Sequence, residues 1–241
     1  MHDFATHANV DSLALAIQTI LADPSLEARR MSVPAGTVIY EPSGHAQHVH
    51  FIHRGQVRLY QVGDEGATRL CEILGSDEWF GVGALAKQGT YGLRAVAVVQ
   101  TIVTEVRADR LLAALSRRPE TLVEFNRQLA TKLQDARNEA AELIFRDTNA
   151  RLLNALVRFS SSAASSPRED GVVLNITHSQ LAQAVGAARE TISLALTQLR
   201  HQNLVRTGRN QLFFNPDTLK RLRGEFRGVA PERLAVVEQV A

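Results

Sequence analysis

Residues 176–205 read ITHSQLAQAVGAARETISLALTQLRHQNLV. Thr177 stands three residues before Gln180 and just ahead of the apolar pair Leu181 and Val185. That spacing predicts a capping box: the threonine hydroxyl accepts an orphan backbone N–H, and the glutamine reaches back to the cap. The helix so opened is expected to stop at Gly186, where a left-handed turn costs glycine little. A second helix is expected from about Ala188. Its apolar side is Ile192, Leu196 and Leu199; the opposite side shows Arg189, Glu190, Ser193 and Thr197. Two helices joined by a short glycine turn form a helix-turn-helix.

The flanks extend the motif. Residues 172–176 (VVLNI) read as a short strand, and 204–206, a turn at 207–210 and 211–215 read as a β-hairpin. Arg206 and Arg209 lie beside or at its tip, the shape of a wing against a phosphate backbone. When such a motif docks on duplex DNA, the second helix enters the major groove amino end first. There Arg189 can donate two bonds to guanine and Glu190 can accept from cytosine, with Ser193 as the third base-contact candidate. Thr177, His178, Ser179 and Thr191, near helix amino ends, and Arg209, on the hairpin, are the phosphate-contact candidates. The plainer alternative, an incidental exposed ion pair at Arg189–Glu190, leaves the register of cap, glycine and hairpin unexplained.

Upstream, residues 147–159 continue as a helix with Leu152, Leu153, Leu156 and Val157 apolar, and 160–171 (SSSAASSPREDG) read as a polar, mobile loop. Residues 119–146 read as one long helix, with Pro119 suited to its first turn. Leu122, Leu129, Ala136 and Leu143 recur every seven residues, with Leu133 and Ala140 four residues after two of them. This seam predicts self-pairing of two such helices into a homodimer; the alternative is packing on its own domain. From about residue 32 to 107 short alternating runs are broken by glycines: 37–40, 49–53, 56–62, 68–74, 94–99 and 102–106. Turn signals about every ten residues predict an antiparallel sandwich or roll, with a hairpin turn at Gly63-Asp64-Glu65-Gly66. Residues 12–22 read as a short amphipathic helix. The expected organisation is a helical extension (1–30), a β-roll (31–118), a dimerisation helix (119–146), a winged helix-turn-helix (147–225) and a tail (226–241).

Composition fits two ordinary domains: 241 residues, 45% hydrophobic and 22% charged. The net charge of +2 is uneven. From Asp147 onward there are 12 Lys+Arg against 8 Asp+Glu; before it there are 15 against 17. A basic end suits a nucleic-acid partner. No apolar run approaches membrane-spanning length, and no export signal is visible, so a cytoplasmic setting without a membrane partner is expected. One cysteine, Cys71, excludes an internal disulfide framework and a multi-cysteine metal site.

The chain resembles the CRP/FNR family of bacterial regulators over about residues 32–216. The most specific stretch is 176–205, where the family's recognition signature stands as Arg189-Glu190-Thr191-Ile192-Ser193. FIHRGQVRLY (51–60), Gly75 and WFG (79–81) are weaker marks. The resemblance implies an α+β protein: an N-terminal antiparallel β-roll of the cyclic-nucleotide-binding-like jelly-roll type, a long dimerisation helix and a C-terminal winged helix-turn-helix. It implies a transcription regulator and not an enzyme, with double-stranded DNA, a second copy of itself, RNA polymerase and a small-molecule effector as partners. Three departures stand where cyclic-AMP binders hold their ligand: Gly81-Val82 in place of Gly-Glu, Leu93-Arg94-Ala95 in place of Arg-Ser-Ala, and Ala136-Arg137 in place of Thr-Ser. Cyclic AMP binding of that type is therefore not expected, nor is the iron–sulfur cluster of members with four cysteines. Phe80-Gly81-Val82 is similar to a 2-oxoglutarate-sensing branch, for which Arg94 and Arg137 would supply the cations; Gly81, Val82, Arg94 and Arg137 are thus the effector candidates. After Ser193, where many members carry a second arginine, this chain has Leu194.

His45, His48, His50 and His53 crowd into nine residues. If Val49 and Phe51 face the core, His48 and His50 share the other face and are candidates for a haem or metal sensor. The alternative is a solvent-facing strand edge with incidental histidines. A cupin-like enzyme would need histidines on separated strands, and these are bunched on one.

Overall fold

The computed structural model describes residues 15–87 and 89–226. By internal contacts the chain divides between Ala141 and Glu142, inside the last turn of the long helix rather than after it at Arg146–Asp147. Each unit is described separately.

Among the described residues of the first unit, eight strands form two four-stranded antiparallel sheets: β1 (Arg29–Val33), β2 (Val38–Tyr40), β3 (His48–Arg54), β4 (Val57–Val62), β5 (Thr68–Leu74), β6 (Trp79–Phe80), β7 (Arg94–Ala97) and β8 (Thr101–Arg107). The sheet orders are β1-β8-β3-β6 and β2-β7-β4-β5. Between β4 and β5, Glu65 and Gly66 take the left-handed backbone that the expected hairpin turn needs. Ile52, Val57, Leu59, Leu74, Phe80, Ala95, Ala97 and Val103 fill one core cluster. Successive strand side chains point to opposite faces. Val49 and Phe51 therefore leave that cluster and join a second one, with Ile17, Ile20, Trp79, Val106, Leu111, Leu115 and Phe125. The helices α1 (15–21 of the described residues), α2 (Ala108–Ser116) and α3 (Pro119–Phe145) supply its other side.

Strand β3 is thus covered on both faces. It lies inside its sheet, which corrects the expectation of a solvent-facing edge for the histidines. One further expectation changes. Arg29 and Arg30 pair with Glu105 and Thr104 on β8, so they belong to the roll and not to a helical extension. Residues 1–14 and 227–241, which include most of the expected extension and tail, lie outside the described residues.

Helix α3 is fastened to the roll by Trp79, whose ring stacks on Phe125 at 4.4 Å and whose indole N–H donates to Gln128 Oε1 at 2.8 Å. Lys132 pairs with Glu72 at 2.7 Å, and Arg69 pairs with Glu139.

The second unit opens with α4 (Thr148–Phe159), capped by the Asp147 carboxylate, which accepts from the Ala150 N–H at 2.8 Å. Then follow β9 (Ser165–Arg168), β10 (Gly171–Leu174), α5 (His178–Val185), α6 (Arg189–His201), β11 (Val205–Gly208), β12 (Gln211–Phe214) and α7 (Pro216–Phe226). The sheet order is β11-β12-β10-β9. Part of the stretch expected to be a mobile loop is therefore an edge strand, β9, with Pro167 opposite Val172. An edge is where proline is tolerated in a sheet. Leu152, Leu156, Phe159, Leu174, Ile176, Leu181, Val185, Ile192, Leu196, Val205, Phe214 and Leu219 are buried.

Candidate nucleic-acid interface

The capping box forms in both directions. Thr177 Oγ1 accepts from the Gln180 N–H at 3.1 Å, and Gln180 Oε1 accepts from the Thr177 N–H at 3.0 Å. Helix α5 ends at Gly186, with φ 68° and ψ 48°. In that left-handed conformation glycine carries no Cβ penalty. Ala188 then opens α6 and contributes no side-chain cap. Ile192, Ala195 and Leu196 hold α6 on the domain core, and α5 packs against it.

That anchoring leaves the amino end of α6 bare. Arg189, Glu190 and Thr191 are exposed, as is Ser179 at the start of α5. Ser193 and His178 are half-buried and joined: His178 Nδ1 lies 3.0 Å from Ser193 Oγ. With Nδ1 accepting the serine proton, Nε2 carries the ring's own proton and is the donor left for a phosphate. Thr177 spends an acceptor position on the cap but keeps a hydroxyl hydrogen to give. In the wing, Arg209 and Asn210 form the two-residue loop, and Asn210 takes φ 57°. Arg209 is exposed at the tip, while Arg206 lies over the Phe213 ring, its guanidinium carbon 4.8 Å from the ring centre. Seven of the eight DNA-contact candidates lie on or at the caps of α5 and α6, and Arg209 lies on the adjoining wing.

The dimer candidates divide. Leu122 and Leu129 are partly buried against the roll's own helical cluster. Leu133, Ala136 and Ala140 are exposed, Leu133 by 54%. Leu143 is half-buried, with Cδ2 3.8 Å from where a Cβ on Gly186 would stand.

Of the effector candidates, Gly81 closes β6 with φ 83° and caps a single 3-10 turn, Val82–Leu85. A Cβ there would meet the His48 carbonyl oxygen at 2.9 Å and His50 Nδ1 at 3.0 Å, which explains the glycine. Val82 is partly exposed. Arg94, at the start of β7, donates to Glu41 at 2.8 Å, so its charge is already engaged. Arg137 is exposed on α3.

Beneath Gly81 lies an aromatic group that sequence reasoning did not assemble. The Tyr40 and Tyr91 rings stack at 3.7 Å, and the His50 ring stacks on Phe80 at 4.9 Å. These residues come from four separate stretches, so no local pattern announces them. Burial is the main cause that pushes the Tyr40 phenol above its ordinary range. Burial, with a smaller contribution from His48, pushes the His50 imidazole down to about 3. Glu105 lies 3.8 Å from His50 Nε2 and would favour the charged ring, but desolvation wins. His50 is 4% exposed. His48 is half-buried, and its backbone N–H and C=O face the Tyr91 hydroxyl. Among the described residues, no group of three or more His, Cys, Asp or Glu side chains is placed to hold a metal.

A roll, a long helix and a winged helix-turn-helix with its second helix bared define a DNA-binding regulator with a separate N-terminal domain. Comparison with known proteins agrees. The cyclic nucleotide-binding domain family matches residues 30–118, and the Crp-like helix-turn-helix domain family matches residues 150–222. The cyclic AMP receptor protein of Thermus thermophilus is 29% identical over 180 residues, covering 75% of this chain and 81% of the relative. A CRP-like cAMP-activated global transcriptional regulator of Mycobacterium tuberculosis is 26% identical over 193 residues, covering 78% and 85%. Among solved structures, a CRP/FNR-family transcriptional regulator of Thermus thermophilus superposes with a TM-score of 0.67 at 26% identity, covering 81% of this chain and 98% of that one. The c-di-GMP responsive global regulator of Xanthomonas campestris shares the fold, with a TM-score of 0.70 at 22% identity, covering 84% and 99%. The chain belongs to the CRP/FNR family of transcription regulators. No helix among the described residues is long and apolar enough to cross a membrane.

Proposed function

We propose that the protein acts as a homodimer on a two-fold symmetric operator, with the amino end of α6 in the major groove of each half-site. Arg189 and Glu190 read base edges with Ser193 beside them, and His178 positions Ser193. Thr177, His178, Ser179, Thr191 and Arg209 hold phosphates. The observation that carries this reading is the exposure of Arg189 and Glu190 on a helix whose other side is locked into the domain core. Half-sites about 34 Å apart, one turn of B-DNA, would engage both copies.

The second copy pairs along the exposed part of α3, at Leu133, Ala136 and Ala140. Leu122 and Leu129 contribute less, because the roll already covers part of each. Small residues at two of the three exposed positions favour close backbone approach. An effector bound near Gly81 and Val82 would control spacing only by binding one dimer geometry more tightly than another. Cyclic AMP is not proposed as that effector. Val82 offers no acid for a ribose, and Arg94 is engaged by Glu41.

Mobility shift of the full-length protein on genomic fragments tests the reading. A small subset is expected to bind far more tightly than the bulk. Uniform weak binding, abolished by moderate salt on every fragment, would contradict it.

A further inference from the structure

Leu194 is 68% exposed, a bare aliphatic side chain in the middle of α6. With about 3.6 residues per turn it points roughly 200° away from Ile192, hence directly away from the core that Ile192 and Leu196 enter. Glu190 precedes it by four residues and lies on the same face one turn nearer the amino end. Nothing polar on Leu194 can satisfy a base edge.

Resting on the reading of α6 as the groove helix, we propose that Leu194 is a specificity-determining residue that selects thymine, through its 5-methyl group, next to the base pair faced by Glu190. The reason is chemical. The thymine methyl is the apolar group that the major groove offers. A leucine pressed against guanine O6 and N7, or against the cytosine amine, would strip water from polar atoms and return no hydrogen bond. Against the methyl, both partners lose water favourably. The same side chain thus attracts one base and penalises others.

The experiment alters the DNA, so folding of the protein does not confound it. An operator is selected from random duplexes with the wild-type full-length protein. Each thymine is then replaced singly by deoxyuridine, which lacks only the methyl. At one symmetry-related pair of positions, wild-type affinity is expected to fall about fourfold per half-site, the factor for burying one methyl-sized group. Leu194→Ala should show little further loss at that uracil, and 5-methylcytosine there should bind better than cytosine. Uracil tolerated at every position, or a uracil penalty undiminished in Leu194→Ala, overturns the inference while leaving the operator reading intact. A wild-type protein that enriches no sequence overturns the operator reading, and this inference with it.

Discussion

The His178 imidazole and the Ser193 hydroxyl meet at 3.0 Å, joining the first turn of α5 to the solvent-facing side of α6. The contact ties the two helices together at the rim proposed to meet DNA. Thr197 Oγ1 donates back to the Ser193 carbonyl at 2.9 Å, a bond within α6 itself. His178→Ala should therefore lower operator affinity by roughly tenfold or less while costing about 1 kcal/mol of stability. Fluorescence anisotropy and urea denaturation of the same preparation check both numbers.

The wing tip makes a different kind of contact. Arg209 is exposed beside Asn210 in the two-residue loop between β11 and β12. Arg209→Ala should weaken binding to operator and random duplex alike. It should also reduce the slope of log affinity against log salt by about 1 per arginine removed from a phosphate. Affinity measured across a salt series decides it.

Two leucines one turn apart on α3 separate folding from association. Leu129 is packed on the roll cluster, so Leu129→Ala should lower unfolding stability by about 1–2 kcal/mol, less than full burial would give. Leu133 is mostly exposed, so Leu133→Glu should leave the protomer folded and split the dimer. Sedimentation velocity and circular dichroism, run on both variants, distinguish the two effects.

Acid sensitivity should trace to His50. Its imidazole is neutral in the folded protein, held down to about 3 by burial, and ordinary at 6.5 once unfolded. Between those values the unfolded chain binds a proton that the folded one does not. The stability it contributes is thus complete above pH 6.5 and declines as pH falls toward 3. Between pH 6.5 and 5 the loss from this group should reach about 2 kcal/mol. His50→Leu should unfold with a visibly flatter pH dependence over that interval.

The DNA-facing half of the molecule was legible because its signals are local. Thr177 with Gln180, Gly186 and Asn210 each fix a backbone turn within four residues, and all four hold in the structure. Strand β9 was missed because Ser165-Ser166-Pro167-Arg168 has no strand propensity of its own and is recruited by β10. The double burial of β3 was hidden for a related reason. Whether His50 faces water depends on Tyr40, Phe80 and Tyr91, which lie up to 41 residues away. Leu122 and Leu129 fit a heptad and a roll-facing stripe equally well, and their partial cover by the roll follows from Phe125 stacking on Trp79, which no local pattern announces.

The most direct test is operator affinity of Arg189→Ala against wild type, with random duplex as the reference. Loss of about 1–3 kcal/mol on the operator, with relaxed preference at one base pair and unchanged binding to random duplex, is the predicted result. Unchanged operator affinity and preference would contradict the placement of the amino end of α6 in the groove.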